Sequence, residues 1–183
     1  MSAPTPARAL AAAAALLGVL AAVAPPARSP VPVAALAREI EREADHVTAL
    51  ELAAWIRDRK PGLRVLDVRA DSEYAAYHIP TAQRLPLAAI DTLRPRAGET
   101  LVLYSEGGAN AAQAWVLLRA AGHRQVYFLR GGVLDWLDDV MHPRPGAGRE
   151  AAALSEYFGG TPRVGDDARE AATAVRQLRR RGC

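Results

Sequence analysis

The sequence predicts an α/β fold in which a parallel sheet is flanked by helices. Three short apolar runs are typical of buried strands: RVLDV at 64–68, LVLY at 101–104 and QVYFL at 125–129. Helical segments are predicted between and after them, at 72–77, at 110–121 and around Trp136. The alternation of strand and helix favours parallel strands joined by right-handed crossovers.

A capping box marks the helix that begins this fold. Thr48 and Glu51 stand at the N-cap and N3 positions of the predicted helix. Pro61 and Gly62 end it. Its predicted apolar face consists of Leu50, Ala53, Ala54 and Ile56.

Residues 1–24 predict an export signal. The uncharged run at 9–24 follows Arg8, which matches the basic and apolar regions of a signal peptide. It is shorter than the ~20 residues that span a bilayer, so cleavage is favoured, with Ala22 and Ala24 as the small residues. Pro25 follows at once and restricts that peptide bond, so an uncleaved N-terminal anchor is the alternative. The expected location is extracytoplasmic, periplasmic or secreted, with membrane contact if the segment stays uncleaved.

The remainder divides into a linker, one domain and an extension. Residues 25–45 predict a proline-rich linker and a short helix, residues 46–140 the domain, and residues 141–183 a C-terminal extension. The short helix has its apolar residues at Val33, Leu36, Ala37, Ile40 and Ala44. The extension combines a looser stretch at 143–165, whose apolar island is Leu154, Tyr157 and Phe158, with a basic helix that begins at Asp166 and Asp167.

Charge and cysteine content exclude several classes of function. The net charge of +3 arises mainly after residue 141, where eight Lys or Arg residues face five Asp or Glu. Most of this excess is the cluster Arg176, Arg179, Arg180 and Arg181. No aromatic residues interleave that cluster, so it is interpreted as the cationic end of a helix rather than a nucleic-acid site. Cys183 is the single cysteine, and the four histidines lack helical i, i+4 spacing. No disulfide, metal site or cofactor is therefore predicted.

The loop at 105–110 is the candidate site. It follows the LVLY strand, and loops at the carboxyl ends of parallel strands line the ligand crevice. Its glycines allow backbone N–H groups to converge at a helix N-terminus, which suits an anion. The alternative is a plain tight connection. The loop residues are Ser105, Glu106, Gly107, Gly108, Ala109 and Asn110.

Four ordered motifs in the middle of the chain resemble the rhodanese-like family. LDVRADSEYAAYHIPTA at 66–82 is similar to that family's Asp-x-Arg, Glu-Tyr and His-Ile-Pro elements, and LPL follows at 85–87. LVLYSEGGANAAQAWVLLRAAGH resembles its strand, active loop and helix, and VYFLRGGVLDW resembles its Gly-Gly and Trp ending. The resemblance implies that His78 hydrogen-bonds within its turn. Asp67, Arg69 and Glu73 are interpreted as a local charge and hydrogen-bond network that holds the turn against the sheet.

The resemblance also implies that the reactive thiol is missing. Active members begin this loop with a cysteine that carries sulfur as a persulfide, and an arginine five residues later helps to hold the anionic substrate. Here Ser105 and Asn110 stand at those positions. Ser105 as a hydrolase nucleophile is disfavoured because the flanking residues lack the Gly-x-Ser-x-Gly elbow and a histidine base.

The sequence therefore predicts an exported rhodanese-like binding or regulatory module without sulfurtransferase activity and without catalytic residues. Its expected partner is an unidentified protein or a small anionic ligand. The alternative is a thiosulfate-type sulfurtransferase that uses Cys183, or the thiol of a partner, so enzymatic activity stays open at this stage. Positioning disfavours Cys183, because a nucleophile on a terminal tail is not held near the loop.

Overall fold

The structure is a five-stranded parallel sheet with helices on both faces. It is a computed structural model, and it describes residues 31–163. The elements, in chain order, are α1 (Val33–Glu41), β1 (His46–Val47), α2 (Ala49–Arg57), β2 (Leu63–Asp67), α3 (Asp71–Ala76), β3 (Gln83–Arg84), a 3-10 helix (Leu87–Thr92), β4 (Thr100–Tyr104), α4 (Ala109–Ala120), β5 (Val126–Leu129), α5 (Gly132–Trp136), a π-helical turn (Leu137–Met141) and α6 (Arg149–Tyr157).

The sheet has the strand order β1-β5-β4-β2-β3, and every neighbouring pair is parallel. The predicted α/β class with a parallel sheet is confirmed. The three predicted runs form the central strands β2, β4 and β5. The two edge strands, β1 and β3, have two residues each and were not predicted, because so short a segment has no periodicity to detect.

Alternating side chains of the central strands supply two separate cores. Val65, Val102 and Leu129 face one side of the sheet. Leu66, Leu103 and Val126 face the other. This period of two is what a strand buried on both faces produces.

The first core lies under α2, α5 and α6. The capping box is present: the Thr48 side chain accepts from the Glu51 backbone N–H, and the Glu51 carboxylate accepts from that of Thr48. The predicted apolar face of α2 is partly wrong. Its buried residues are Ala49, Leu52, Ala53 and Ile56, whereas Leu50 and Ala54 are half-buried at its border.

The second core lies under α1, α4 and the 3-10 helix. An ion pair between Glu39 and Arg119 fixes α1 on α4. Leu36 is the residue of α1 that is buried, whereas Val33 is 81% and Ile40 50% exposed. The predicted apolar stripe of this helix is therefore too long. One turn of α1 contacts α4, and Ala44 lies beyond the C-terminal end of α1.

The extension is more regular than predicted. The stretch at 143–165 was expected to be loose, but residues 149–157 form α6. Leu154 is fully buried, and the ring of Phe158 packs edge-on against Trp136 at 5.1 Å between centroids. These contacts dock α6 on the sheet. Tyr157 of the predicted island is instead 56% exposed.

Several predictions lie outside the described residues. They are the export signal at 1–24, the first part of the linker, the basic helix that begins at Asp166, and the thiol of Cys183. Within residues 31–163, every helix is too short or too polar to cross a membrane.

Candidate functional site

Ser105 directly follows β4 and is 3% exposed. Its Oγ accepts hydrogen bonds from the backbone N–H groups of Gly108, at 3.1 Å, and Ala111, at 3.3 Å. The backbone of the loop therefore does converge on one point at the start of α4. The Ser105 hydroxyl oxygen occupies that point.

The remaining loop residues form the outer surface of the site. Gly107, Ala109 and Asn110 are exposed, and Glu106 is half-buried. Gly108 is buried and adopts a φ of 93°, a conformation that favours glycine. The loop thus directs Ser105 Oγ inward. Its exposed rim consists of the small, uncharged residues Gly107, Ala109 and Asn110.

Gly131 and Gly132, which follow β5, allow α5 to pack against the loop. The carbonyl oxygens of Ser105 and Glu106 accept from the N–H groups of Val133, at 2.9 Å, and Leu134, at 3.2 Å, in the first turn of α5. A Cβ on Gly132 would lie 2.1 Å from the Ser105 carbonyl oxygen. The close approach of α5 to the loop therefore requires glycine at 132. The Gly-Gly motif signalled a turn in the sequence, but not this contact.

Asp67 and Arg69 form a buried ion pair beside the loop. The Arg69 guanidinium donates to both carboxylate oxygens, with Nη2 at 2.7 Å from Oδ2, and the Asp67 side chain is fully buried. Arg69 Nη2 also donates to the Tyr77 carbonyl oxygen at 2.7 Å. Burial alone would lower the pKa of Arg69, but the hydrogen bond and charge of Asp67 raise it. The guanidinium therefore stays charged and ties the turn after α3 to the sheet.

Tyr104 completes this network and was not singled out from the sequence. It is fully buried, and its hydroxyl accepts from the Ile79 backbone N–H at 3.1 Å. Burial, followed by the hydrogen bond to Asp67, raises the pKa of Tyr104 well above its ordinary value. Tyr104 is therefore a neutral structural group. A hydrophobic strand residue gives no sequence signal for that polar role.

Glu73 and His78 lie apart from the Asp67 and Arg69 pair. The Glu73 carboxylate accepts from the Ala70 N–H at 3.0 Å, which caps its own helix. The ring of His78 stacks on Tyr74 at 4.1 Å, and its Nδ1 lies 3.0 Å from the Tyr74 carbonyl oxygen. Glu73 therefore makes contacts separate from those of Asp67 and Arg69, and His78 makes its own contacts with Tyr74.

Trp136 provides another link that sequence reasoning did not find. Its Nε1 donates to the Tyr77 hydroxyl at 2.8 Å. Burial raises the pKa of Tyr77, against the opposing effect of this bond. The turn after α3 and the helix behind the loop are thereby joined.

The chemistry available at the loop is limited. Within the described residues, Ser105 Oγ accepts both of its hydrogen bonds from backbone N–H groups. Neither is a contact with a side chain that could act as a general base. Residues 31–163 contain no cluster of three or more His, Cys, Asp or Glu side chains able to hold a metal. The site has the geometry of an anion-binding turn, with a hydroxyl where an anion or a thiolate would lie.

The fold and this loop define an α/β protein with a backbone-lined turn at the carboxyl edge of a parallel sheet. The chain belongs to the rhodanese-like domain family, whose model matches residues 48–139.

The chain matches a minor part of two curated relatives. The chain is 32% identical over 99 residues to a probable adenylyltransferase/sulfurtransferase MoeZ of Mycobacterium tuberculosis, covering 52% of this chain and 25% of the relative. It is 29% identical over 103 residues to a tRNA uridine(34) hydroxylase of Teredinibacter turnerae, covering 52% and 32%. The chain thus spans a third or less of these curated relatives. Among solved structures, a rhodanese-like domain protein of Staphylococcus aureus is 30% identical, with coverages of 52% and 93% and a TM-score of 0.47.

Proposed function

We propose that this protein is an exported rhodanese-like module that binds a partner through the rim of the 105–110 loop and has no sulfurtransferase activity. The observation that carries the proposal is the Ser105 hydroxyl. It lies at the focus of the loop, where active family members place a thiol, and it is held by the N–H groups of Gly108 and Ala111.

Oxygen at this position cannot perform the family's reaction. A cysteine has a pKa near 8.5 that neighbouring donors lower, so a thiolate is available at neutral pH. A serine hydroxyl needs an adjacent general base to become a nucleophile. Its oxygen also offers no sulfur on which a persulfide can form. The native loop therefore supports binding rather than sulfur transfer.

The charges of the loop also oppose a thiosulfate-like substrate. Asn110 replaces the arginine that the family resemblance implies, and Glu106 adds a carboxylate next to Ser105. The exposed rim of Gly107, Ala109 and Asn110 offers backbone groups and one amide for contact. These groups suit recognition of a protein surface or of a small ligand whose anionic part the loop N–H groups can reach. The apolar run at 9–24 supports export.

A thiosulfate-to-cyanide assay tests the catalytic part of the proposal. In chains that carry Cys183→Ser, we expect no turnover with the native loop and measurable turnover with Ser105→Cys and Asn110→Arg. The same two loop sequences in chains that retain Cys183 test the alternative, in which the Cys183 thiol transfers the sulfur. Native turnover that disappears with Cys183→Ser would contradict the proposal and establish sulfur transfer by the tail thiol.

A rim variant tests the binding part. A Cβ on Gly107 meets nothing within 4 Å, so Gly107→Trp adds bulk to the rim without a clash in the fold. We expect capture of a partner from the exported fraction to be lost with Gly107→Trp. The matched control is Ala153→Trp at an exposed position of α6, and this variant should still capture the partner. Equal capture by both variants would place binding elsewhere. Mass spectrometry of the exported chain's N-terminus tests signal cleavage.

A further inference from the structure

The outer side of α4 carries no charge. Its exposed residues are Ala109, Asn110, Gln113, Val116, Leu117 and Ala120. Arg119, the single charged residue of this helix, is buried in the ion pair with Glu39. A helix at a protein surface ordinarily has charged side chains on its outer side, whereas a helix with apolar residues all round is a buried one. The composition of α4 is therefore that of a covered helix.

Helix α1 adds an apolar stripe to the same face of the sheet. At about 100° per residue, Val33, Ala37 and Ile40 fall on one side of α1, and all three are exposed. Leu36 and the Glu39 ion pair hold α1 against α4. The stripe that the sequence predicted to pack on the domain is thus left largely in solvent.

Exposed large apolar side chains are concentrated on these two helices. Within residues 31–163 five such side chains are exposed, and four of them lie on α1 and α4. Val116 is 40% and Leu117 53% exposed, in addition to Val33 and Ile40. Contiguous apolar patches of a few hundred Å² on a monomer are often functional. Val33, Ala37, Ile40, Val116 and Leu117 are named the α1–α4 surface.

The charges beside the α1–α4 surface disfavour a strongly charged partner. The exposed charged residues of α1 and of the turn that follows it have both signs. They are Arg38, Glu41, Arg42 and Glu43. Helices that bind anionic lipids are rich in Lys and Arg, and nucleic acid likewise requires a basic surface. The complementary surface is one without charge, and a second copy of this chain supplies it.

The size of the α1–α4 surface fits a weak dimer. With a rise of about 1.5 Å per residue and a width of about 10 Å, the two helices together cover about 300 Å². Stable interfaces bury about 800 Å² per partner, and smaller interfaces belong to transient complexes. The area therefore supports reversible rather than permanent association.

We propose that the chain forms a weak symmetric dimer through the α1–α4 surfaces of two copies. A two-fold contact uses the same surface of each copy. Val33, Ile40, Val116 and Leu117 therefore leave water on both copies, and α4 acquires the cover that its composition indicates. This inference does not depend on the binding role proposed for the 105–110 loop, since none of these side chains belongs to that loop.

Sedimentation velocity of the purified full chain tests the dimer, with a reducing agent present so that Cys183 forms no disulfide between copies. From about 10 μM to about 0.5 mM, a range suited to weak complexes, the native chain should change from monomer toward dimer. Leu117→Glu and Ile40→Glu, made separately at exposed positions, should each raise the dissociation constant at least about tenfold, because a two-fold contact buries each added charge twice. The control Tyr157→Glu changes a similarly exposed side chain on the opposite side of the sheet, and it should dimerise as the native chain does.

Amide chemical shifts of the ¹⁵N-labelled chain locate the contact. Over the same concentrations, the signals of residues 33–40 and 113–120 should shift, whereas those of residues 149–157 on α6 should not. A native chain that stays monomeric throughout would overturn the proposal, as would association that persists unchanged in both Leu117→Glu and Ile40→Glu. Binding of a monomeric native chain to phosphatidylcholine vesicles, lost in Leu117→Glu, would replace the second copy with a lipid surface.

Discussion

Asp67 and Tyr104 are register partners at the carboxyl ends of β2 and β4, and both side chains are fully buried. Asp67 binds Arg69, and the Tyr104 hydroxyl binds the Ile79 backbone. Arg69, which Asp67 holds, donates to the Tyr77 carbonyl oxygen, so the ends of both strands are bonded to the turn at 77–79.

Tyr104→Phe should lower the free energy of unfolding by about 1–3 kcal/mol, because the buried Ile79 N–H loses its acceptor. Urea denaturation at neutral pH measures the change. Tyr157→Phe is the matched control, since Tyr157 is mostly exposed, and it should change stability little. A Tyr104→Phe protein as stable as the native one would mean that the hydroxyl has no net structural role.

The same hydroxyl should make the fold sensitive to alkali. The folded-state pKa of Tyr104 is raised above its ordinary value, mainly by burial. A raised pKa contributes stability that is fully present below the unfolded pKa of about 10 and is lost as pH rises toward the folded pKa. Stability of the native protein should fall above about pH 10, and less steeply for Tyr104→Phe. Identical alkaline slopes would refute this assignment.

Arg69→Gln should cost about 3–5 kcal/mol, because it leaves the Asp67 carboxylate buried without its cationic partner. Thermal or urea unfolding measures the loss. The surface pair of Arg57 and Asp58 offers the comparison. Arg57→Gln should change stability little, since solvent screens exposed pairs. Similar effects of the two substitutions would show that burial of the Asp67 pair is energetically unimportant.

Gly132→Ala should destabilise the protein far more than Gly98→Ala. Both glycines have positive φ, 59° and 79°, so alanine is strained at each by about 1–2 kcal/mol. At Gly98 a Cβ meets nothing within 4 Å, whereas at Gly132 it meets the Ser105 carbonyl oxygen. The difference in unfolding free energy isolates the contact between α5 and the loop. Equal losses would mean that α5 can shift without cost.

Ser105→Ala should lower the unfolding free energy by about 1–3 kcal/mol, because the N–H groups of Gly108 and Ala111 lose their acceptor. Amide exchange at these two positions should accelerate in parallel. Ser72→Ala on the exposed side of α3 is the control and should change stability by no more than about 0.5 kcal/mol. Unchanged exchange at Gly108 in Ser105→Ala would indicate that the hydroxyl does not organise the loop.

The parts of the fold with a regular pattern could be predicted from the sequence. The central strands have β-branched runs, and Thr48 with Glu51 marks a helix start by a local hydrogen-bond arrangement. The position of the 105–110 loop followed, because parallel strands place their carboxyl ends at one edge of the sheet.

Features that depend on long-range contacts could not be predicted. The orientation of α1 is fixed by the pairing of Glu39 with Arg119, 80 positions away. The role of Gly132 depends on the carbonyl of Ser105, which no local pattern indicates. Tyr104 has the appearance of a core residue, and its hydroxyl acquires partners after the sheet and the turn have assembled.

The placement of α1 and α6 on opposite faces of the sheet gives the protein two sides. Val31 packs against the core on the α4 side, whereas Arg163 pairs with Asp138 on the side that carries α6. The first and last described residues therefore lie on opposite faces of the sheet. A molecule that covers one of these faces leaves the other accessible.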